Sequence, residues 1–68
     1  MSRSLSPYQK QIMSLLVSGL AVKEIAHELG RSETAIRWSV LEVRRKFKAR
    51  TLAQAVSLFA EYYPAPRI

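Results

Sequence analysis

Several residue types are absent or scarce in this sequence of 68 residues. It has no cysteine, which excludes disulfides and thiolate metal sites, and its one histidine cannot build a metal centre. It has no aspartate and only two glycines, so it offers neither a Gly-rich phosphate loop nor a Ser-His-Asp arrangement. We therefore expect a protein that is not an enzyme, with no catalytic residue, no metal and no cofactor.

Long apolar runs are missing as well. The first apolar segment after the polar N-terminus is interrupted by Ser14 and Ser18. No stretch approaches the roughly 20 apolar residues that a membrane span needs, and no signal peptide is visible. We therefore expect a protein of the cytoplasm without a membrane partner.

Positive charge, by contrast, is in excess and is confined to one part of the chain. The formal net charge is +6 and the pI is about 10.4. Seven basic and two acidic residues lie between Arg31 and Arg50, so this segment alone carries a net charge of +5. A basic balance in a small domain favours a polyanionic partner, and its confinement to one segment indicates a single binding surface.

Hydrophobic spacing and capping residues predict four helices in one domain over residues 1–68. The predicted helices span about residues 7–18, 22–29, 32–47 and 52–62. Capping boxes mark the first helix at Ser6 and Gln9 and the last at Thr51 and Gln54. On the last helix, five residues are expected to face the core: Leu52, Ala55, Val56, Phe59 and Tyr62.

The second and third predicted helices are joined by only Gly30 and Arg31. A short glycine-containing turn between a short helix and a longer basic one is typical of the helix-turn-helix motif. On the third helix, four apolar residues recur at helical spacing and predict a buried stripe: Ile36, Val40, Val43 and Phe47. The major groove of DNA is about 12 Å wide and admits one such helix.

The side of this helix opposite the stripe offers candidate contacts to DNA. Four residues are expected to read bases: Thr34, Arg37, Trp38 and Leu41. Arg37 leads this group, because arginine pairs bidentately with guanine. Three nearby basic residues are expected to contact phosphates: Arg44, Arg45 and Lys48. For Trp38 three interpretations stay open, namely a thymine methyl or sugar edge, a protein partner, or packing back onto the domain.

The chain from Leu5 to about Leu58 resembles the LuxR/GerE-type helix-turn-helix domain. The segments that carry the resemblance are Leu5-Ser6-Pro7, Gly19-Leu20, Lys23-Glu24-Ile25-Ala26, Leu29-Gly30, Ser32-Glu33, Ile36-Arg37, Arg45-Lys46-Phe47 and Gln54-Ala55-Val56. The resemblance implies an all-α, four-helix domain that binds double-stranded DNA as a dimer and regulates transcription in bacteria. It also implies that Lys23 approaches a phosphate.

In many members of this family the last helix forms the dimer contact. Small residues on one side of the fourth predicted helix, with a valine beside them, would let a second helix approach closely: Ala53, Val56, Ser57 and Ala60. Family members usually carry this domain behind a receiver or ligand-sensing domain. Only Met1–Ser4 precede the matching segment here, which favours a stand-alone regulator over a fragment.

The sequence departs from the family pattern at five positions, namely Ala35, Trp38, Ser39, Leu41 and Lys48. The family favours polar residues where Trp38 and Leu41 stand, and glycine or asparagine where Lys48 stands. A protein-binding module that grips another regulator through Trp38 and Leu41 is therefore the alternative function. A further alternative is region four of a sigma factor, which would bind RNA polymerase as well as promoter DNA, but the Gln54-Ala55-Val56 helix favours the LuxR/GerE type.

Overall fold

Side-chain caps define where the first, third and fourth helices begin. Ser6 Oγ accepts a hydrogen bond from the Gln9 N–H at 3.1 Å, and Gln9 Oε1 accepts one from the Ser6 N–H at 3.1 Å, so the first capping box is confirmed. Ser32 Oγ accepts from the Ala35 N–H at 3.1 Å and starts the third helix in the same way. These bonds satisfy amides that a helix leaves without an internal partner.

The second predicted capping box is only half correct. Thr51 Oγ1 accepts from the Gln54 N–H at 3.0 Å, as expected. Gln54 Oε1, however, accepts from the Arg50 N–H at 2.7 Å instead of returning to the Thr51 amide. The glutamine side chain thereby holds the loop one residue earlier than a capping box would.

The computed structural model describes residues 4–64 and contains four α-helices. They are α1 (Pro7–Val17), α2 (Val22–Leu29), α3 (Glu33–Phe47) and α4 (Leu52–Tyr62). The prediction of an all-α, four-helix fold is confirmed, and the helix bounds differ from the expected ones by one residue at most because Ser18 and Ser32 are caps. Residues 1–3 and 65–68 of the predicted domain lie outside the described part.

The core consists of two clusters that share α1 and α3. One joins α1, α2 and α3 through Ile12, Ile25 and Ile36, and the other joins α1, α3 and α4 through Met13, Val43 and Phe59. Within the described chain α2 and α4 do not pack against each other. The longest helix has 15 residues, and none in residues 4–64 is long and apolar enough to cross a membrane.

Two core predictions for α4 are wrong. Leu52 is 36% exposed and Tyr62 is 47% exposed, because only the middle turns of α4, at Ala55 and Phe59, rest fully on the α1–α3 pair. On α1, by contrast, the neighbouring residues Ile12 and Met13 are both fully buried. Helix α1 contacts all three other helices, so it buries a wider face than a single apolar stripe indicates.

Candidate DNA-binding surface

A tight turn between α2 and α3 sets the position of the basic helix. Gly30 has the left-handed angles φ +65° and ψ +36°, which glycine adopts without steric cost. The Arg31 N–H donates to the Ala26 carbonyl at 2.9 Å and closes the end of α2. The turn lets Ile25 of α2 pack against Ile36 and Val40 of α3, so α2 supports the N-terminal half of α3.

Helix α3 has one buried and one open side. The four residues of its predicted stripe are all buried, as expected from their spacing: Ile36, Val40, Val43 and Phe47. At about 100° per residue, Thr34, Trp38 and Arg45 fall on the opposite side of the helix. All three are exposed, and Trp38 is 58% exposed, which contradicts the interpretation in which its indole packs back onto the domain.

The structure brings the four predicted base-reading residues together. Thr34, Arg37, Trp38 and Leu41 line one shallow hollow of about 260 Å³ on the open side of α3. Arg37 Nη2 lies 3.3 Å from Glu33 Oε1, with 66% of the arginine side chain exposed. An exposed pair of this kind contributes less than about 1 kcal/mol, so the guanidinium is available to a ligand.

The basic residues divide into exposed and engaged ones. Lys23, Arg45 and Lys48 are exposed, and Lys23 stands apart, in a separate hollow on α2. Arg44 is half-buried: one Nη donates to the Arg50 carbonyl, and its buried Nε has no partner among the described residues. Arg44 thus ties α3 to the loop before α4, a tertiary role that the charge pattern does not reveal.

Lys46 is a second basic residue whose role lies inside the domain. Its Nζ donates to Gln9 Oε1 at 2.8 Å and to the Ser4 carbonyl at 3.2 Å. Gln9 is itself only 7% exposed. In the sequence, only the helical position of Lys46, to the side of the open face of α3, indicated that it differs from the exposed basic residues.

The residues predicted for the dimer contact lie on α4 as a set. Ala53, Ser57 and Ala60 are exposed along one side of the helix, and Val56 is half-buried against the core.

Elsewhere, the Arg31 guanidinium lies 5.5 Å from the centre of the Tyr8 ring, beside the start of α3. Among residues 4–64 no three potential ligand side chains are grouped so that they could hold a metal ion.

Comparisons with known proteins identify the family. The family model described as GerE, bacterial regulatory proteins, luxR family, matches residues 3–59. Nodulation protein W of Bradyrhizobium diazoefficiens is 34% identical over 55 residues, and the Probable HTH-type transcriptional regulator GfsR of Streptomyces halstedii is 38% identical over 55 residues.

Each of these alignments covers 81% of this chain, but the chain spans only about a quarter of the relatives' own length, 24% and 23%. No solved structure matches the chain. Because the family match covers most of the chain and agrees with the observed four helices, the resemblance is confirmed. The chain belongs to the luxR family of bacterial regulatory proteins, a family without enzymatic activity, and forms a LuxR-type helix-turn-helix DNA-binding domain.

Proposed function

We propose that this domain is a sequence-specific regulator of transcription that places α3 in the major groove of double-stranded DNA. The observation that carries the proposal is the division of α3 into a buried apolar stripe and an open side that holds Arg37. The exposed bases Arg45 and Lys48 flank that side. Phosphate contacts would supply much of the affinity, and base contacts the specificity.

Phosphate contacts are proposed for Lys23, Arg45 and Lys48, with Arg44 as a fourth contact once its bond to Arg50 is exchanged. Three or four such contacts give a slope of log K against log salt of about −3 to −4 per domain. A protein that binds DNA in this way in bacteria works in the cytoplasm, which is therefore the proposed location.

Selection of bound duplexes from a random pool, followed by gel shifts at increasing salt, tests this function. Arg37→Ala should weaken binding to the selected duplex by roughly 5- to 150-fold and to a random duplex much less, because the lost contact is to a base. Lys10→Ala is the control, since Lys10 lies on α1 beside the Tyr63 ring and outside the hollow that contains Arg37. Absence of binding to any duplex at moderate salt would contradict the proposal.

Dimerisation through α4 completes the proposal. The exposed small residues Ala53, Ser57 and Ala60, with Val56 beside them, leave room for a second helix against α4. A two-fold dimer would place two copies of α3 on half-sites about one helical turn apart, and the selected sequence would then be palindromic.

The exposure of Trp38 favours a second candidate function. An exposed tryptophan is frequent at the centre of protein interfaces, so the same side of α3 would instead bind another regulator or RNA polymerase. Co-purification with wild type and Trp38→Ala separates the two functions. Loss of a partner with DNA binding retained supports the protein-binding module, whereas intact partner capture with DNA binding lost contradicts it.

A further inference from the structure

An apolar pair lies in the middle of the open side of α3. Trp38 is the most exposed large apolar residue of the described chain, and Leu41 follows it by three residues, half-buried. Both line the hollow that also contains Arg37 and Thr34. We call Trp38 and Leu41 the apolar pair.

The chemistry of the major groove limits what such a pair can recognise. Base edges there present hydrogen-bond donors and acceptors, which neither a leucine nor the carbon face of an indole can match. The one apolar group on a base edge is the methyl at C5 of a pyrimidine, which thymine always carries and cytosine carries only when methylated. We infer that Trp38 and Leu41 each read the C5-methyl group of a pyrimidine, on neighbouring bases beside the guanine proposed for Arg37.

Charge and spacing support DNA as the occupant. The pair lies on a side of α3 flanked by Arg37, Arg45 and Lys48, which complement a phosphate backbone. Residues three apart are about 4.5 Å apart along a helix axis, close to the roughly 3.4 Å between successive bases. Trp38 and Leu41 therefore suit methyl groups on neighbouring bases.

This inference rests on the proposed function, and modified bases test it separately. In a duplex selected by the wild-type protein, each thymine is replaced in turn by deoxyuridine, which lacks only the methyl. Binding should weaken about fourfold at each contacted position, as expected for one buried methyl-sized group. At these positions a cytosine and a 5-methylcytosine duplex are then compared. Tighter binding of the methylated one shows that either methyl source is accepted, and equal binding assigns the contact to thymine.

Variants connect the effect to the apolar pair. Trp38→Ala or Leu41→Ala should abolish the preference for thymine over deoxyuridine at one position each. The helical content of Trp38→Ala by circular dichroism should be unchanged because Trp38 is 58% exposed, and the same measurement on Leu41→Ala checks that this variant is folded. Arg37→Ala is the control, because it should weaken both duplexes alike and keep the thymine preference.

Two results would overturn the inference and leave the proposed function intact. One is binding of the thymine and deoxyuridine duplexes within about twofold of each other at every position. If Trp38→Ala also keeps its affinity for DNA, the apolar pair would be assigned to a protein partner. The other is a thymine preference that survives both variants. If no duplex binds at all, the proposed function fails as well.

Discussion

The contact between Gln9 and Lys46 gives a basic side chain of α3 a structural role inside the domain. The Lys46 ammonium lies against a neutral amide, with Gln9 Oε1 at 2.8 Å and the Ser4 carbonyl at 3.2 Å. The same Oε1 also accepts the Ser6 N–H at the start of α1. One amide oxygen thus connects the first turn of the domain to α3, and a negative charge in its place would strengthen both bonds.

We predict that Gln9→Glu stabilises the domain by about 1 kcal/mol at pH 7, since hydrogen bonds to charged groups exceed neutral ones by this order. Lys46 would lower the pKa of the introduced carboxylate below the ordinary glutamate value of about 4.3. A lowered folded pKa means that the gain is present above this value and disappears as the pH falls through the folded pKa. Urea unfolding at pH 7 and pH 3 measures it.

Gln11→Glu is the matched control for this prediction, because Gln11 is exposed on the same helix. Its change in unfolding free energy should stay within about 0.5 kcal/mol. Equal stability of the two variants at pH 7 would contradict the proposed gain.

Lys48 combines an unfavourable backbone with a useful charge. It ends α3 with φ +54° and is the only non-glycine residue with positive φ in residues 4–64. The left-handed conformation costs an L-residue roughly 1–2 kcal/mol. A glycine at this position would avoid that cost, but it would lose more conformational entropy on folding, which offsets part of the gain. The charge of Lys48 therefore occupies a site whose backbone conformation favours glycine.

We predict that Lys48→Gly raises the unfolding free energy by about 0.5–1 kcal/mol while it reduces the salt slope of DNA binding by about 1. Lys48→Ala separates the two effects, because it removes the charge and keeps the left-handed cost. It should reduce the salt slope without stabilising the domain. Equal stability of the two variants in urea would exclude backbone strain at this position.

At the level of elements, α3 contributes a different half to each of the two core clusters. Its N-terminal half packs with α2 through Ile36 and Val40, and its C-terminal half packs with α4 through Val43 and Phe47. The half that carries the proposed base contacts is thus supported by α2. A change in the stability of α2 should therefore change how rigidly the N-terminal half of α3 is held against the domain.

Helix α2 begins without a side-chain cap. Ala21 has extended angles of φ −78° and ψ 160°, and its N–H donates to Glu24 Oε1 at 2.8 Å. Its methyl side chain, however, offers no oxygen to the amides in the first turn of α2. We predict that Ala21→Ser completes the capping box and stabilises the domain by about 1 kcal/mol, which corresponds to roughly 4–8 °C in Tm. Thermal unfolding followed by circular dichroism measures the shift.

Two further variants are the controls for this prediction. Ala21→Val cannot accept a hydrogen bond and should give no gain. Ser32→Ala removes the cap of α3 and should cost a similar amount. An Ala21→Val variant as stable as Ala21→Ser would show that the gain does not come from capping.

At the scale of the whole molecule, the small size of the domain limits its core. A domain of about 60 residues buries only about 60% of its unfolded surface, and this core is further divided into two small clusters. The proposed dimer through α4 would extend the cluster that contains Phe59 and half-buried Val56. Stability should accordingly rise with protein concentration.

We predict that Ser57→Arg prevents this dimer, because a long charged side chain would stand where the second helix approaches. Ser57 is exposed, so the helical content should be unchanged. Sedimentation equilibrium should show a dimer for wild type and a monomer for the variant, with weaker binding to a palindromic duplex. Gln11→Arg, which adds the same side chain to α1, is the control. A monomeric wild type at high concentration would refute the α4 dimer.

Local signals in the sequence were sufficient for the four helices, the short turn at Gly30 and the buried stripe of α3. The reason is that caps, turns and helical spacing act between residues at most a few positions apart. The open side of α3 followed from the same spacing, and with it the grouping of Thr34, Arg37, Trp38 and Leu41 in one hollow.

Contacts between distant residues were decided only by the packing of the helices. The bond from Lys46 to Gln9 joins residues 37 positions apart, and the exposure of Leu52 and Tyr62 depends on how far α4 overlaps the α1–α3 pair. A helical wheel shows which side of a helix is apolar but not how many neighbours cover that side or where they end. For this reason the sequence indicated the surface that we propose for DNA binding, whereas folding divided the basic residues into those exposed on it and those held within the domain.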